Sequence, residues 1–169
     1  HVQVAGILRQ IEWNDGLADQ YDLSGSESGW GINLSSNYRI GPHVLRGSVV
    51  YGEGIQNYMN DATVDIGVVE NFSNPTKPIY GESIPMLGIV AFLDLNWNDK
   101  WTSTAGYSYL HVDNTNSQTD DAFENGHYAL ANLLYLPASN VFMGPELQWG
   151  RRENFRDGFT SDDLRIQFS

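Results

Sequence analysis

Between Gly29 and Gly41 the chain reads GWGINLSSNYRIG, and its apolar and polar residues alternate. Trp30, Ile32, Leu34 and Tyr38 share one parity; Gly31, Asn33, Ser35, Asn37 and Arg39 share the other. A period of two belongs to an extended strand with one apolar and one polar face. Such a strand has two homes. In a sandwich the apolar face turns into a protein core; in an outer-membrane barrel it turns out into lipid.

Strand length separates them. The same patterning marks about eight strands, over residues 2–13, 28–40, 43–52, 84–97, 100–112, 126–136, 140–152 and 163–169. Most reach or exceed the roughly nine to eleven residues a tilted membrane strand needs, whereas soluble strands average about five to six. No run approaches the roughly 18 apolar residues of a spanning helix, a test that membrane strands escape. The connections alternate as well. IGPH, NDK and LPAS are tight turns, while residues 14–27, 53–83, 113–126 and 153–162 form longer loops. Short turns at one end and long loops at the other are the pattern of outer-membrane barrels, with the short turns periplasmic.

The apolar parity continues through Leu8, Val49, Leu87, Leu93, Ala131 and Leu147, with Trp13, Tyr38, Tyr51, Trp97, Trp101, Tyr135 and Trp149 near strand ends. Trp and Tyr there suit two interfacial girdles. The opposite parity carries Arg9, Asn33, Asn37, Arg46, Asp94, Glu146, Gln148, Arg152 and Arg165. So many polar groups would be left unsatisfied in a small dry core, and they suit a watery lumen. The expected fold is therefore all-β, a transmembrane antiparallel up-and-down β-barrel.

The chain has 169 residues, no cysteine, and 9 Lys+Arg against 21 Asp+Glu, for a net charge of -12. That balance argues against nucleic acid as a partner, and disulfides and Cys-ligated metals are excluded. Most carboxylates fall in the loops, whereas Arg9, Arg46, Arg152 and Arg165 fall at lumen-parity strand positions, with Arg39 at the periplasmic rim. Fixed cations in a narrow passage favour anions and can bind carboxylates bidentately. Arg152 and Arg165, on neighbouring strands, are expected to share one carboxylate. The alternative is that the arginines pair with Asp94, Glu146 and Glu153 and stiffen the wall. The 53–83 loop is too long for a plain connector. Its Glu53, Gln56, Asn57, Asn60 and Asp61 either fold inward as a constriction or form an outward lid.

His1, His43, His111 and His127 lack metal-ligand spacing and no nucleophile motif accompanies them, so no catalytic residue, metal or cofactor is assigned and no enzyme is expected. DNTNSQTDD at 113–121 is dense in oxygen ligands but lacks the Gly and final Glu of a calcium loop; it reads as a solvated acidic loop.

Several stretches together resemble DcaP-like porins of Gram-negative outer membranes: GWGINLS at 29–35, VVYGEGIQNYMND at 49–61, LHVDN at 110–114, HYALANLLYLP at 127–137 and GPELQWGRREN at 144–154, with DDLRIQFS at the end. The resemblance implies a trimeric channel of sixteen strands that takes up small anionic solutes such as dicarboxylates. On it, residues 1–169 are the C-terminal half of one barrel, a mature or trimmed piece in contact with outer-membrane lipid and lipopolysaccharide. The rival is a complete eight-stranded outer-membrane barrel that acts in adhesion through its acidic loops.

Overall fold

The computed structural model describes residues 1–17, 19–59 and 63–168. Its strands are β1 (Val2–Trp13), β2 (Gly25–Ile40), β3 (His43–Glu53), β4 (Ile66–Glu70), β5 (Ile79–Ser83), β6 (Pro85–Asn98), β7 (Trp101–Val112), β8 (Phe123–Ala138), β9 (Val141–Met143), β10 (Pro145–Asn154) and β11 (Thr160–Phe168). One curved sheet runs in the order β1-β2-β3-β6-β7-β8-β10-β11, with β9 on β8. Every neighbouring pair in it is antiparallel. The order ends at β1 and β11 without joining them, so among the described residues the wall is open. Among the described residues the strands do not close into an eight-stranded barrel.

The tight turns fall where the sequence places them. Gly41 (φ 60) and Asn140 (φ 64) hold left-handed backbone at the β2–β3 and β8–β9 turns, a conformation open to Gly and tolerated by Asn. The strand expected over 140–152 is broken into β9 and β10. Gly144 makes the break, where the backbone of Leu133 leaves no room for a Cβ. The 53–83 connection holds a hairpin of its own, β4–β5, paired from Ile66↔Ser83 to Glu70↔Ile79.

The apolar parity faces outward. Leu8 is 87% exposed, Leu34 50% and Ile32 49%, in one continuous field of large side chains. A soluble monomer rarely leaves such a field uncovered. The buried cluster lies on the other face: Ile55, Ile84, Met86 and Val112, with Ile7, Val50, Met59, Leu110 and Phe123 against it. Trp13 departs from expectation. It belongs to the inner parity of β1 with Arg9, donates its indole N–H to the Leu23 carbonyl (2.7 Å), and lies against Gly81 of the β4–β5 hairpin rather than in a lipid girdle. An aromatic at a strand end serves a girdle or a loop equally well, and only the register decides.

The β1–β2 loop closes on Asp15. Its carboxylate accepts the N–H groups of Leu17 (2.9 Å) and Leu23 (3.1 Å), which hold the acid below its usual pKa of 3.8. A carboxyl with a lowered folded-state pKa lends stability above the unfolded value and loses it as pH falls through the folded one. The loop is therefore expected to loosen only below pH 3.8. Hydrogen exchange at Leu17 and Leu23 should rise there relative to neighbouring amides, and an Asp15→Asn loop should show no such step.

Candidate functional site

The chain leaves β3 at Glu53 and turns inward at Gly54, whose φ of 63 opens the turn. Residues 54–59 then lie on the polar-parity face of the sheet. Ile55 rests on bare backbone: a Cβ at Gly31 would stand 2.5 Å from its Cδ1, and one at Gly52 would stand 2.8 Å away. Met59 lies over Gly88 in the same way. The Gln56–Tyr58 segment makes a 3-10 turn. Gln56 is fully buried and donates to the Ile84 carbonyl (2.8 Å).

One cation ties this segment down. Arg9 donates to Asp65 Oδ2 (2.9 Å) and to the Gly54 carbonyl (3.2 Å), and its guanidinium lies 5.5 Å from the Tyr58 ring centroid. The other Asp65 oxygen accepts the Asn57 N–H (3.1 Å). Ser83 Oγ adds a bond to the Ser28 carbonyl (3.0 Å). Of the five loop residues singled out in the sequence, Gln56 is packed away, Asn57 is exposed, and Glu53 ends β3 on the outward parity, cross-strand from Trp30 and Pro85. Asn60 and Asp61 lie outside the described residues.

Toward the tight-turn end a polar ladder crosses the inner face. Asp94, Thr104, Asn132, Glu146 and Gln167 occupy one register row through five strands. Arg46 Nε donates to Asp94 (2.6 Å), and Thr104 Oγ1 donates to the other Asp94 oxygen (3.0 Å). The Asn132 side-chain Oδ1 accepts the Thr104 N–H (2.8 Å), and its Nδ2 donates to Glu146 (3.2 Å). Gln148 and Gln167 both donate to the remaining Glu146 oxygen. Asn33 donates to Ser48 Oγ (2.9 Å), while Asn37, near the end of β2, gives its N–H to the His1 carbonyl.

The four arginines separate into two kinds. Arg9 and Arg46 are each bound to a carboxylate. Arg152 donates to Asn154 (3.0 Å) and to the Asp121 carbonyl, and lies 5.8 Å from the Phe123 ring centroid. Among the described residues Arg165 pairs with no carboxylate in a salt bridge; it stands cross-strand from Gln148. Gln148 and Arg152 are four residues apart on β10, roughly 14 Å at about 3.4 Å per residue, and Arg152 bonds to Asn154 and Asp121, so the structure does not itself bring the two guanidiniums together. Glu153 likewise pairs with Arg151 on the outward face (2.7 Å), not with Arg152.

The inner parity is less polar than the sequence suggested. Val50, Val90, Leu110 and Tyr128 share it, and with Met59, Asn33 and Ser48 they help line a cavity of about 370 Å³ between the inward segment and the wall. Val50 and Leu110 also support Met59 and its cluster. A strand position facing a returning loop needs an apolar residue as much as one facing lipid does, so parity alone could not reveal them.

Comparison with known proteins places the fold. No protein-family model matches the chain, and no curated protein does. Among solved structures, the outer membrane channel DcaP of Acinetobacter baumannii matches with a TM-score of 0.72 at 17% identity. The match covers 99% of this chain and 45% of that one, so the chain spans less than half the length of that channel. At this identity the likeness establishes the fold, a stretch of porin β-barrel wall, and it agrees with the resemblance carried by the sequence motifs.

Proposed function

We propose that this chain forms the C-terminal half of the wall of an outer-membrane diffusion channel for small hydrophilic solutes, in bacteria with a Gram-negative envelope. The observation that carries this reading is the segment over residues 54–59, latched together with Asp65 by Arg9 onto the polar face of a sheet whose other face is apolar. A folded-in segment narrows a lumen; it would have no such role on the surface of a soluble sheet. The open edges at β1 and β11 ask for further strands to close the pore. The resemblance adds assembly as trimers and contact with lipopolysaccharide.

Anion preference, for solutes of dicarboxylate type, rests on Arg152 and Arg165, inner-face arginines that, like Arg39 at the rim, are not ion-paired among the described residues. Arg9 and Arg46 are neutralised where they stand. In the full-length channel, Arg152→Ala with Arg165→Ala should move the reversal potential in a salt gradient toward cations and slow dicarboxylate flux. Each charge-assisted hydrogen bond is worth roughly 1.5–3 kcal/mol when desolvated, and less in a wet pore. The shift should fade at 1 M salt, where the Debye length is about 3 Å. An unchanged reversal potential at low salt would remove these arginines from selectivity, and absence of stable conductance from the unaltered protein would remove the channel.

A further inference from the structure

An aliphatic side chain left open on the polar face of a sheet needs a reason, and Val90 is such a side chain. It lies on the inner parity of β6, is 39% exposed, and stands outside the buried cluster of Ile55, Ile84, Met86 and Val112. Its register row runs through Ser48, Val90, Ser108 and Tyr128. The adjoining row runs through Val50, Gly88, Leu110 and Gly126. Apolar side chains lie over both of its glycines. A Cβ at Gly88 would stand 3.2 Å from Met59 Cε, and one at Gly126 would stand 3.0 Å from the Phe123 ring. The cavity of about 370 Å³ opens among these residues.

The niche is amphipathic and carries no formal charge. Val50, Val90, Leu110, Met59 and Phe123 give it apolar walls. Asn33 Oδ1, Ser108 Oγ and Tyr128 Oη also line it, and among the described residues none of the three is in a hydrogen bond; the Asn33 amide nitrogen is the atom spent on Ser48. No Asp, Glu, Lys or Arg is in the described lining. Two arginines stand one step outside it, and both are engaged. Arg46 is held by Asp94, while Arg152, cross-strand from Gly126, bonds to Asn154 and the Asp121 carbonyl. The volume lies within the roughly 300–1,000 Å³ of small-molecule pockets. The lining comes from β2, β3, β6, β7, β8 and the inward segment, so neither open edge of the sheet, β1 or β11, contributes to it.

From these observations we infer that the niche beneath Met59 is a subsite for uncharged solutes that join an apolar ring to hydroxyl groups, aryl glycosides being the chemical type; the inference rests on the channel reading proposed above and adds a second solute class to the anions. A ring set against Val90, Val50 and Met59 leaves water, and its gain scales with the apolar area covered. Hydroxyls on the same solute meet Ser108, Tyr128 and Asn33, which have no other partner among the described residues. A carboxylate set there would lose hydration with no cation in the lining to replace it. A solute of hydroxyls alone would leave the apolar walls wet.

The test follows single-channel current through the full-length protein in planar bilayers at 1 M salt, with phenyl glucoside, methyl glucoside and phenyl glucuronide as probes. Phenyl glucoside should interrupt the current at about tenfold lower concentration than methyl glucoside, the factor that goes with roughly 60 Å² of ring surface leaving water. Phenyl glucuronide carries the same ring with a carboxylate. With Arg152 and Arg165 screened by the salt, it should block less well than phenyl glucoside. Ser108→Leu fills the niche and should remove the difference between the two glucosides. Tyr128→Phe keeps the ring and deletes one hydroxyl, and should weaken phenyl glucoside about fivefold, the worth of one neutral hydrogen bond. Equal block by the two glucosides, tighter block by the glucuronide, or block by phenyl glucoside that neither substitution alters overturns the subsite and leaves the channel standing. A protein without stable conductance overturns the channel reading, and the subsite with it.

Discussion

An Arg9→Ala channel should conduct more at 1 M salt, and with more current noise, than the unaltered channel. Arg9 holds the inward segment at three points: the Asp65 carboxylate, the Gly54 carbonyl and the Tyr58 ring. Two of these are charge-assisted hydrogen bonds of roughly 1.5–3 kcal/mol each. The Arg9 side chain is 21% exposed, so solvent offsets part of that sum. A loss of about 2 kcal/mol still shifts the latched-to-released ratio about thirtyfold. The high salt matters because removing a lumen cation also alters ion entry, and screening suppresses that second effect. Asp65→Asn should act in the same direction, and Arg9→Lys should fall between, since a lysine keeps the charge but not the planar guanidinium that lies over Tyr58 while one of its nitrogens serves both acceptors. Unchanged conductance in both Arg9→Ala and Asp65→Asn would show that the segment is held by its apolar contacts alone.

The second large effect concerns the faces of β2. Leu34→Arg should destabilise the full-length barrel by about 2–4 kcal/mol, the cost of a cation at mid-depth on a lipid-facing strand. Leu34 lies midway between Trp30 and Tyr38 and is half exposed on the apolar parity. Asn33→Arg, one residue away, should cost far less. Asn33 points to the other face and would give up only its bond to Ser48. Denaturant unfolding from lipid vesicles measures both. Equal costs at the two positions would mean that neither face meets hydrocarbon.

The strands were legible because a period of two is written into every residue of a strand with two different faces. β1 occupies the expected residues 2–13, and β2 begins only three residues earlier than expected, at Gly25. The β4–β5 hairpin was hidden by its shortness: IGVVE and IYGES carry too few residues for alternation to stand out inside a loop. Partners distant in sequence were hidden for another reason. Arg9 and Asp65 are 56 residues apart, and nothing local in either predicts their meeting. Parity assigned Arg152 and Arg165 to one face, but only register sets their separation along it. The links from Tyr107 to His127 and from Tyr109 to Asn125 across β7 and β8 were concealed because both tyrosines read as lipid-facing aromatics until their hydroxyls are seen to have partners.

The bare backbone beneath the inward segment has a consequence for the size of the opening. At Gly31 and Gly52 the segment lies directly on the sheet, with no layer of wall side chains between them. At Ile55 its intrusion is therefore the thickness of one polypeptide, whereas at Met59 the segment stands on Val50 and Leu110. In the proposed channel the aperture at that point would be set from behind, by residues a passing solute would not touch. A single added methyl group at Gly31 would meet Ile55 first, 2.5 Å from its Cδ1, and push it forward, whereas one at Gly52 would strike the Trp30 carbonyl first, at 2.2 Å, and disturb the β2–β3 pairing. Calibre can thus drift through exchanges on the far side of the segment while every pore-facing side chain stays the same.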